Sequence, residues 1–140
     1  MNQELYERNI QLLYRQNPYA ARLIHNSGQD PRIKIHINDK GYLSAEYAHT
    51  NTQTILLHSR YNPHREAQRL VEGYQLKLTS NAVILGFGLG YHVLDLVARV
   101  SNRDFILICE KNPAIIKIAF CYINFESLLT KNNILWSIGS

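Results

Sequence analysis

Residues 81–96 read NAVILGFGLGYHVLDL, a stretch in which a short apolar run leads into three closely spaced glycines. An apolar run of this length, bounded by turn residues, is typical of a parallel strand with both faces covered. From residue 91 onward, apolar side chains recur at helical spacing. The stretch therefore predicts a strand, a tight glycine turn and a helix, which is how a Rossmann-like unit begins.

The rest of the chain continues this alternation. DFILICE (104–110) predicts a second buried strand, NPAIIKIAFCYI (112–123) a second helix, and NNILWSI (132–138) a third strand. This βαβαβ order predicts a parallel sheet with right-handed crossovers. The sequence stops soon after the third strand, so the predicted sheet has an unpaired edge and an uncovered face. We expect either a fragment of a longer protein or a domain completed by association, including association with a second copy.

Residues 1–80 predict a small α+β region. The predicted elements are a helix at 3–16, a short helix from Pro18, a hairpin of RIKIHI (32–37) and YLSAEY (42–47), a strand at QTILLHS (53–59) and a helix between Asn62 and Gly73. The predicted fold class is therefore α/β. A small α+β domain at 1–80 precedes a partial, truncated Rossmann-like sheet at 81–140.

Composition limits the partners that this chain can have. Hydrophobic residues make up 46% and charged residues 19%, which predicts a packed core. The net charge is +4, but the basic residues are scattered, so we predict no nucleic-acid partner. The polar N-terminus resembles neither a signal peptide nor a membrane span, so we expect a cytoplasmic protein without a membrane partner. Cys109 and Cys121 lack ligand spacing, and no metal site is predicted.

The glycine turn has the chemistry of an anion site. Backbone amides and a helix N-terminus converge there, and glycine allows a ligand to approach the main chain. In the dinucleotide fingerprint the last glycine stands one residue later, where this chain has Tyr91, which disfavours NAD. The G-x-G-x-G spacing resembles the first motif of class I methyltransferases. Those proteins usually carry an acidic residue at the position that Ile84 holds here, two before the first glycine.

Glu110 is the second indication of a ligand. It ends the second predicted strand, 24 residues after Gly86, close to the spacing at which an acidic residue contacts a ribose. We therefore predict a nucleotide or nucleoside site, although a turn without ligand, with Glu110 capping the helix that begins at Asn112, fits the same residues. The predicted cofactor-binding residues are Gly86, Phe87, Gly88, Leu89, Gly90, Tyr91, His92 and Glu110.

A second polar cluster lies in LHSRYNPHREAQRL (57–70), at a predicted strand-to-helix junction. Arg60 or Arg65 is suited to bind a phosphate or carboxylate in a bidentate manner, unless Arg65 is simply solvated on the helix surface. Neither His58 nor His64 has a partner nearby in the sequence, so no catalytic or metal role is predicted for them. The predicted substrate-binding residues are Ser59, Tyr61, Arg65 and Glu66.

Three strings, LHSRYNPHREAQRL, VILGFGLGYHVLDL and ILICEKNPAI, together resemble the motility accessory factor family of bacterial glycosyltransferases. The resemblance runs from about residue 17 to about residue 120. Its more specific parts are SxYxPxxEA, at 59–67, and GxGLGYH, at 86–92. The positions that match the family motifs are Ser59, Tyr61, Pro63, Glu66, Ala67, Gly86, Gly88, Leu89, Gly90, Tyr91, His92 and Glu110.

The resemblance implies a cytoplasmic enzyme that transfers a nonulosonic acid, such as pseudaminic or legionaminic acid, from a CMP-activated sugar to serine or threonine of flagellin. Family members are several times longer, so we expect this chain to be an N-terminal fragment that contributes part of the nucleotide-sugar site and is inactive alone. No residue is predicted as the general base. Two other readings remain open, a non-catalytic nucleotide-binding or self-associating module and a methyltransferase-like domain that uses S-adenosylmethionine.

Overall fold

The computed structural model describes residues 1–58, 61–73 and 81–139, which form a mixed α/β fold. In chain order, the elements of these residues are α1 (Gln3–Gln16), α2 (Pro18–His25), β1 (Ile33–Ile37), β2 (Leu43–Ala48), β3 (Thr54–Leu56), α3 (Pro63–Glu72), β4 (Ala82–Leu85), α4 (Tyr91–Arg99), β5 (Ile106–Glu110), α5 (Pro113–Phe120), α6 (Glu126–Leu129) and β6 (Ile134–Ile138). No helix of these residues is long and apolar enough to cross a membrane.

Two three-stranded sheets form the framework. The first is antiparallel in the order β1-β2-β3, with Ile33 opposite Tyr47. The second is parallel in the order β4-β5-β6, with Ala82, Ile106 and Ile134 in register. Helices lie between the parallel strands along the chain, so the predicted α/β class with a partial Rossmann-like sheet is confirmed.

Asparagine side chains start four of the helices. The side chains of Asn2, Asn17, Asn62 and Asn112 each accept a hydrogen bond from a first-turn amide of α1, α2, α3 and α5. Proline follows the cap in the last three cases, as expected from its fixed φ. Helix α4 differs, because its N-cap is Gly90, which has no side chain to cap it. The glycine turn therefore leads directly into this helix.

A single cluster of buried side chains joins the N-terminal helices to the parallel sheet. Its largest fully buried members include Leu13, Ile24, Phe87, Ile108, Phe120 and Phe125. The core therefore continues from the antiparallel region into the Rossmann-like region, and it fixes the glycine turn through Phe87.

The two faces of the parallel sheet differ. Ile84 and Ile108 are buried on one face. On the other face Val83 is 63% exposed and Leu85 is 82% exposed, and Leu135 is also exposed. The sequence predicts an uncovered face for this short sheet, although β4 itself is apolar on both sides, and among the described residues one face is exposed. Apolar side chains on this face of the parallel sheet are therefore exposed in the part of the chain that the structure describes.

Candidate functional site

The glycine turn between β4 and α4 has an unusual backbone. Gly86, Gly88 and Gly90 all have positive φ, at 93°, 54° and 85°. L-residues rarely adopt such angles, which explains the alternate glycines. A Cβ at Gly90 would lie 2.6 Å from the ring of Phe125. The turn is therefore fixed both by its own backbone and by the core packed against it.

Glu110 binds the glycine turn directly. Its Oε2 accepts hydrogen bonds from the amides of Phe87, at 2.7 Å, and Gly88, at 3.4 Å. Its Oε1 accepts from the amide of Asn112 at 2.8 Å. A carboxylate has about four acceptor positions, so three backbone amides orient Glu110 and leave it able to accept from a further donor. Glu110 therefore lies next to the glycine turn, as the spacing predicted.

His58 holds the next residue of the turn. The buried Nε2 of His58 accepts a hydrogen bond from the amide of Leu89 at 2.9 Å, so the proton of the neutral ring lies on Nδ1. Its ring packs edge-to-face on Tyr91, with centroids 5.3 Å apart. Desolvation, with a smaller contribution from His92, lowers the pKa of His58 to about 4. His58 is therefore a neutral acceptor that closes the turn.

The remaining turn amides also have partners. The amide of Gly86 donates to the carbonyl of Cys109 at 2.8 Å, and that of Gly90 donates to the carbonyl of Phe87 at 2.9 Å. Every amide from residue 86 to 90 is thus bonded within the protein. The sequence suggested that these amides would bind a ligand's phosphate, but in the structure those of Phe87 and Gly88 bind the carboxylate of Glu110 and the others bind His58 or backbone carbonyls.

A cavity of about 600 Å³ lies beside the turn, between the two sheets. We call it the inter-sheet cleft. It opens at the carboxyl ends of β4 and β5, where open α/β sheets bind their ligands. Its walls include Gly86, Gly88 and Glu110 from the parallel side, and Arg32, Tyr47 and Leu57 from the antiparallel side. The cleft thus combines an oriented carboxylate, a cation and an aromatic ring.

Arg32 and Asp30 form a pair at the edge of the cleft. The Nε and Nη2 of Arg32 donate to the Asp30 carboxylate at 2.9 and 2.8 Å. The guanidinium lies 5.1 Å from the ring centre of Tyr47. Asn112 Nδ2 also donates to Asp30 at 2.8 Å, and Asn112 in turn contacts Glu110. The hydrogen bonds from Arg32 lower the pKa of Asp30 to about 2, so a charged network crosses from β1 to the glycine turn.

Tyr91 and His92, both predicted to bind a cofactor, do not line the inter-sheet cleft. The Tyr91 hydroxyl donates to the carbonyl of Leu43 at 2.7 Å, and burial raises the pKa of Tyr91 to about 12. His92 Nε2 donates to the carbonyl of Gly86 at 3.0 Å, and desolvation lowers the pKa of His92. His92 lines a separate cavity of about 430 Å³ together with Leu85.

The predicted substrate-binding residues lie at the start of α3. Tyr61, Arg65 and Glu66 are exposed there, and none of them lines the inter-sheet cleft. Ser59 and Arg60 lie outside the described residues. His64, for which no role was predicted, packs its ring on Tyr91 with centroids 4.8 Å apart. The structure therefore does not bring this cluster together with Glu110, and its role in binding stays a prediction.

The cleft residues that were not predicted from the sequence include Arg32, Tyr47 and Lys111. The signal that could have found Arg32 is Asp30-Pro31-Arg32, where opposite charges flank a proline just before β1. Tyr47 sits in an ordinary amphipathic strand, so its sequence context gives no indication of a ligand. Arg32 and Tyr47 come from the antiparallel region, whose position relative to the glycine turn cannot be read from spacing.

Comparison with known proteins gives one match. The family model described as "Glycosyltransferase Maf N-terminal domain" matches residues 32–134, which is most of the chain. The matched region begins at Arg32 and includes the glycine turn, His58 and Glu110. Neither the curated proteins nor the solved structures gave a match.

Proposed function

We propose, because the chain belongs to the glycosyltransferase Maf N-terminal domain family, that its inter-sheet cleft binds the nucleotide part of a CMP-activated nonulosonic acid. The transfer that we propose breaks the bond between the sugar and the phosphate, and forms a bond between the sugar and a serine or threonine hydroxyl of flagellin. CMP is released, and the reaction takes place in the cytoplasm. We assign donor binding to this chain.

The observation that carries the proposal is the orientation of Glu110. Three backbone amides fix its carboxylate at the end of β5, on the wall of the cleft. A carboxylate held in this way can accept hydrogen bonds from ribose hydroxyls without any rearrangement. Tyr47, Leu57 and Ile33 supply an apolar wall against which a base can pack. Gly86 and Gly88 keep the floor of the cleft free of side chains.

Calorimetric titration with nucleotides tests this proposal. We expect CMP to bind, and both 2′-deoxy-CMP and 3′-deoxy-CMP to bind about tenfold more weakly, because hydrogen bonds to a charged acceptor contribute about 1.5–3 kcal/mol. This comparison leaves the protein unchanged, so it does not depend on whether Glu110→Ala folds. Equal affinities for CMP and both deoxy forms would remove Glu110 from the site.

Competing ligands separate the alternative functions. Thermal unfolding is measured with CMP, S-adenosylmethionine and NAD in turn, since a ligand present at 100 times its dissociation constant stabilises a protein by about 2.7 kcal/mol. Stabilisation by S-adenosylmethionine alone would favour the methyltransferase-like domain. The absence of any shift would favour the non-catalytic module.

Self-association is the second function that a specific observation favours. The open apolar face, which we define as Val83, Leu85 and Leu135, lies on a parallel sheet, and parallel sheets are normally covered on both faces. We propose that a second copy of the chain covers this face, with twofold symmetry. Donor binding and self-association are compatible, because none of these three residues lines the inter-sheet cleft.

A further inference from the structure

We infer that Arg32 binds the phosphate of the nucleotide, and that Asp30 positions Arg32 for this contact. The inference rests on the proposed function, and it goes beyond that function by naming the residue that distinguishes a nucleotide from a nucleoside. It also differs from the sequence-based expectation, which gave this role to Arg65.

Electrostatics in the cleft leaves few places for a phosphate. The glycine turn is closed to it, because the turn amides are bonded to protein groups and Glu110 adds a negative charge there. A phosphate placed against Glu110 would meet like-charge repulsion. Among the described residues, the cations on the cleft wall are Arg32, on the antiparallel side, and Lys111, which follows Glu110 on the parallel side. Arg32 is the one that lies across the cleft from Glu110, so the phosphate is favoured on its side. The ribose and the phosphate of one nucleotide can then contact opposite walls.

Arg32 has donors to spare. A guanidinium carries five N–H groups, and the bonds to Asp30 use one on Nε and one on Nη2. The Arg32 side chain is 58% exposed, so the three other N–H groups can reach a ligand. Arginine binds phosphate through two parallel hydrogen bonds, and the three N–H groups of Arg32 that do not bond Asp30 are enough to form them.

Asp30 fixes the direction of that guanidinium. Its side chain is only 9% exposed and accepts from the backbone amide of Arg32, at 3.0 Å, as well as from the Arg32 side chain. Asn112 ties Asp30 to the end of β5, next to Glu110. One hydrogen-bonded network therefore sets the distance between the ribose-binding carboxylate and the phosphate-binding cation. Tyr47 supports one side of the guanidinium, at 5.1 Å.

The test compares CMP with cytidine, which lacks the phosphate, by calorimetry. We expect Arg32→Ala to weaken CMP binding about tenfold or more and to leave cytidine binding within about twofold, because a charged hydrogen bond is lost only with CMP. Arg32→Lys keeps the charge but not the bidentate geometry, so its affinity for CMP should fall between those of the wild type and Arg32→Ala. Arg22→Ala, which removes an exposed arginine on α2, is the matched control and should change neither affinity.

Asp30→Asn separates positioning from charge. If Asp30 acts only through its charge, its removal strengthens the binding of an anion. If it positions Arg32, the loss of the bidentate ion pair weakens CMP binding and leaves cytidine binding unchanged, and this is the result that we expect. Tighter CMP binding by Asp30→Asn would overturn the positioning role.

The outcomes distinguish this inference from the proposed function. Failure of the wild-type chain to bind CMP would overturn the proposed function, and the inference with it. CMP binding that Arg32→Ala leaves unchanged would overturn the inference alone. If Arg65→Ala weakens CMP binding and Arg32→Ala does not, the phosphate lies at the start of α3. The melting temperatures of all variants are measured as well, to show that each variant folds. If Arg32→Ala does not fold, Arg32→Lys replaces it in the comparison of CMP with cytidine.

Discussion

A side chain at Gly88 would collide with buried His58. A Cβ there would lie 2.7 Å from His58 Nε2, the atom that accepts from Leu89, and φ is +54°. We expect Gly88→Ala to lower the free energy of unfolding by about 2–4 kcal/mol, since it adds a collision to backbone strain. Gly86→Ala, which meets no atom within 4 Å, adds only strain and should cost about 1–2 kcal/mol.

Urea unfolding of the two variants measures this difference. Gly28→Ala is the control, because Gly28 has neither a positive φ nor an atom within 4 Å of the added Cβ. We expect it to be close to neutral. Equal losses in Gly86→Ala and Gly88→Ala would show that His58 moves away freely and does not hold the turn.

The pKa of His58 makes stability depend on pH. It is about 4 in the folded chain and 6.5 when unperturbed, so protons bind more readily to the unfolded chain. The stabilisation is therefore complete above pH 6.5 and is lost as the pH falls toward 4. The neutral state of His58 contributes about 3 kcal/mol to the free energy of unfolding, at 1.36 kcal/mol for each unit by which the two pKa values differ. The lowered pKa of His92 acts in the same direction.

Unfolding by urea across this pH range tests the assignment. His58→Gln keeps an acceptor for the amide of Leu89 but does not titrate, so we expect its free energy of unfolding to change less with pH than that of the wild type. His92→Gln isolates the second histidine. The same pH dependence in His58→Gln and the wild type would contradict the prediction.

Single residues of the site differ in how well the sequence revealed them. Glu110 could be predicted because a regular βαβ unit fixes the spacing between a glycine turn and the next strand end. His58 could not, since its partner is the backbone amide of Leu89, and a backbone group leaves no pattern in the sequence. Arg32 and Asp30 were missed because they approach the turn from another sheet.

At the scale of elements, Asn9 attaches α1 to the segment that follows α5. It is fully buried; its Nδ2 donates to the carbonyls of Phe120 and Ile123, at 2.9 and 2.8 Å, and its Oδ1 accepts from the amide of Phe125 at 3.1 Å. Asn9→Leu leaves three backbone groups without a partner, so we expect a loss of about 3 kcal/mol or more in the free energy of unfolding.

Chemical denaturation measures that loss. Gln11→Leu serves as the control, because Gln11 lies on the same helix and is exposed. We expect the control to change stability by less than about 0.5 kcal/mol. An Asn9→Leu variant as stable as the wild type would mean that water or a shifted backbone replaces the lost bonds.

Most of the helices and strands could be predicted from local sequence, because capping and turn residues mark where they begin and end. The bounds of α1 match the prediction at 3–16, and Asn-Pro pairs begin α2, α3 and α5 as expected. Helix α6 was not predicted, since four residues are too short for a helical period to appear. The buried role of Asn9 could not be predicted either, because a polar residue in an apolar stripe is informative only once its hydrogen-bond partners are known.

At the scale of the whole molecule, the sequence predicted that one face of the parallel sheet would be uncovered, but the apolar run of β4 did not indicate which face. A continuous apolar run lacks the alternation of apolar and polar residues that marks a strand with one buried face. It therefore does not indicate whether one face or both faces of the strand are covered. In the structure Val83, Leu107 and Leu135 lie in register across the three strands, and the outer two are exposed. Which layer covers a sheet depends on contacts between distant parts of a fold, which the run itself cannot encode.

The chain as a whole exposes more surface than a monomer of its mass usually does. The chain exposes 8727 Å², whereas a folded monomer of 16.2 kDa exposes about 7,400 Å². The excess, about 1,300 Å², is larger than the roughly 800 Å² that each partner contributes to a standard interface. An excess of this size over the whole chain is compatible with burial of surface by a second copy.

Light scattering coupled to size exclusion tests whether a second copy covers the face. We expect the wild-type mass to rise from 16.2 kDa toward twice that value with concentration, and Leu85→Lys to remain at 16.2 kDa. Leu85 is 82% exposed, so a charge there prevents burial in an interface without disturbing the core. Tyr19→Lys, at an exposed apolar position on α2, should associate like the wild type. A wild-type mass of 16.2 kDa at every concentration would exclude the second copy, and equal association of the two variants would place the contact elsewhere.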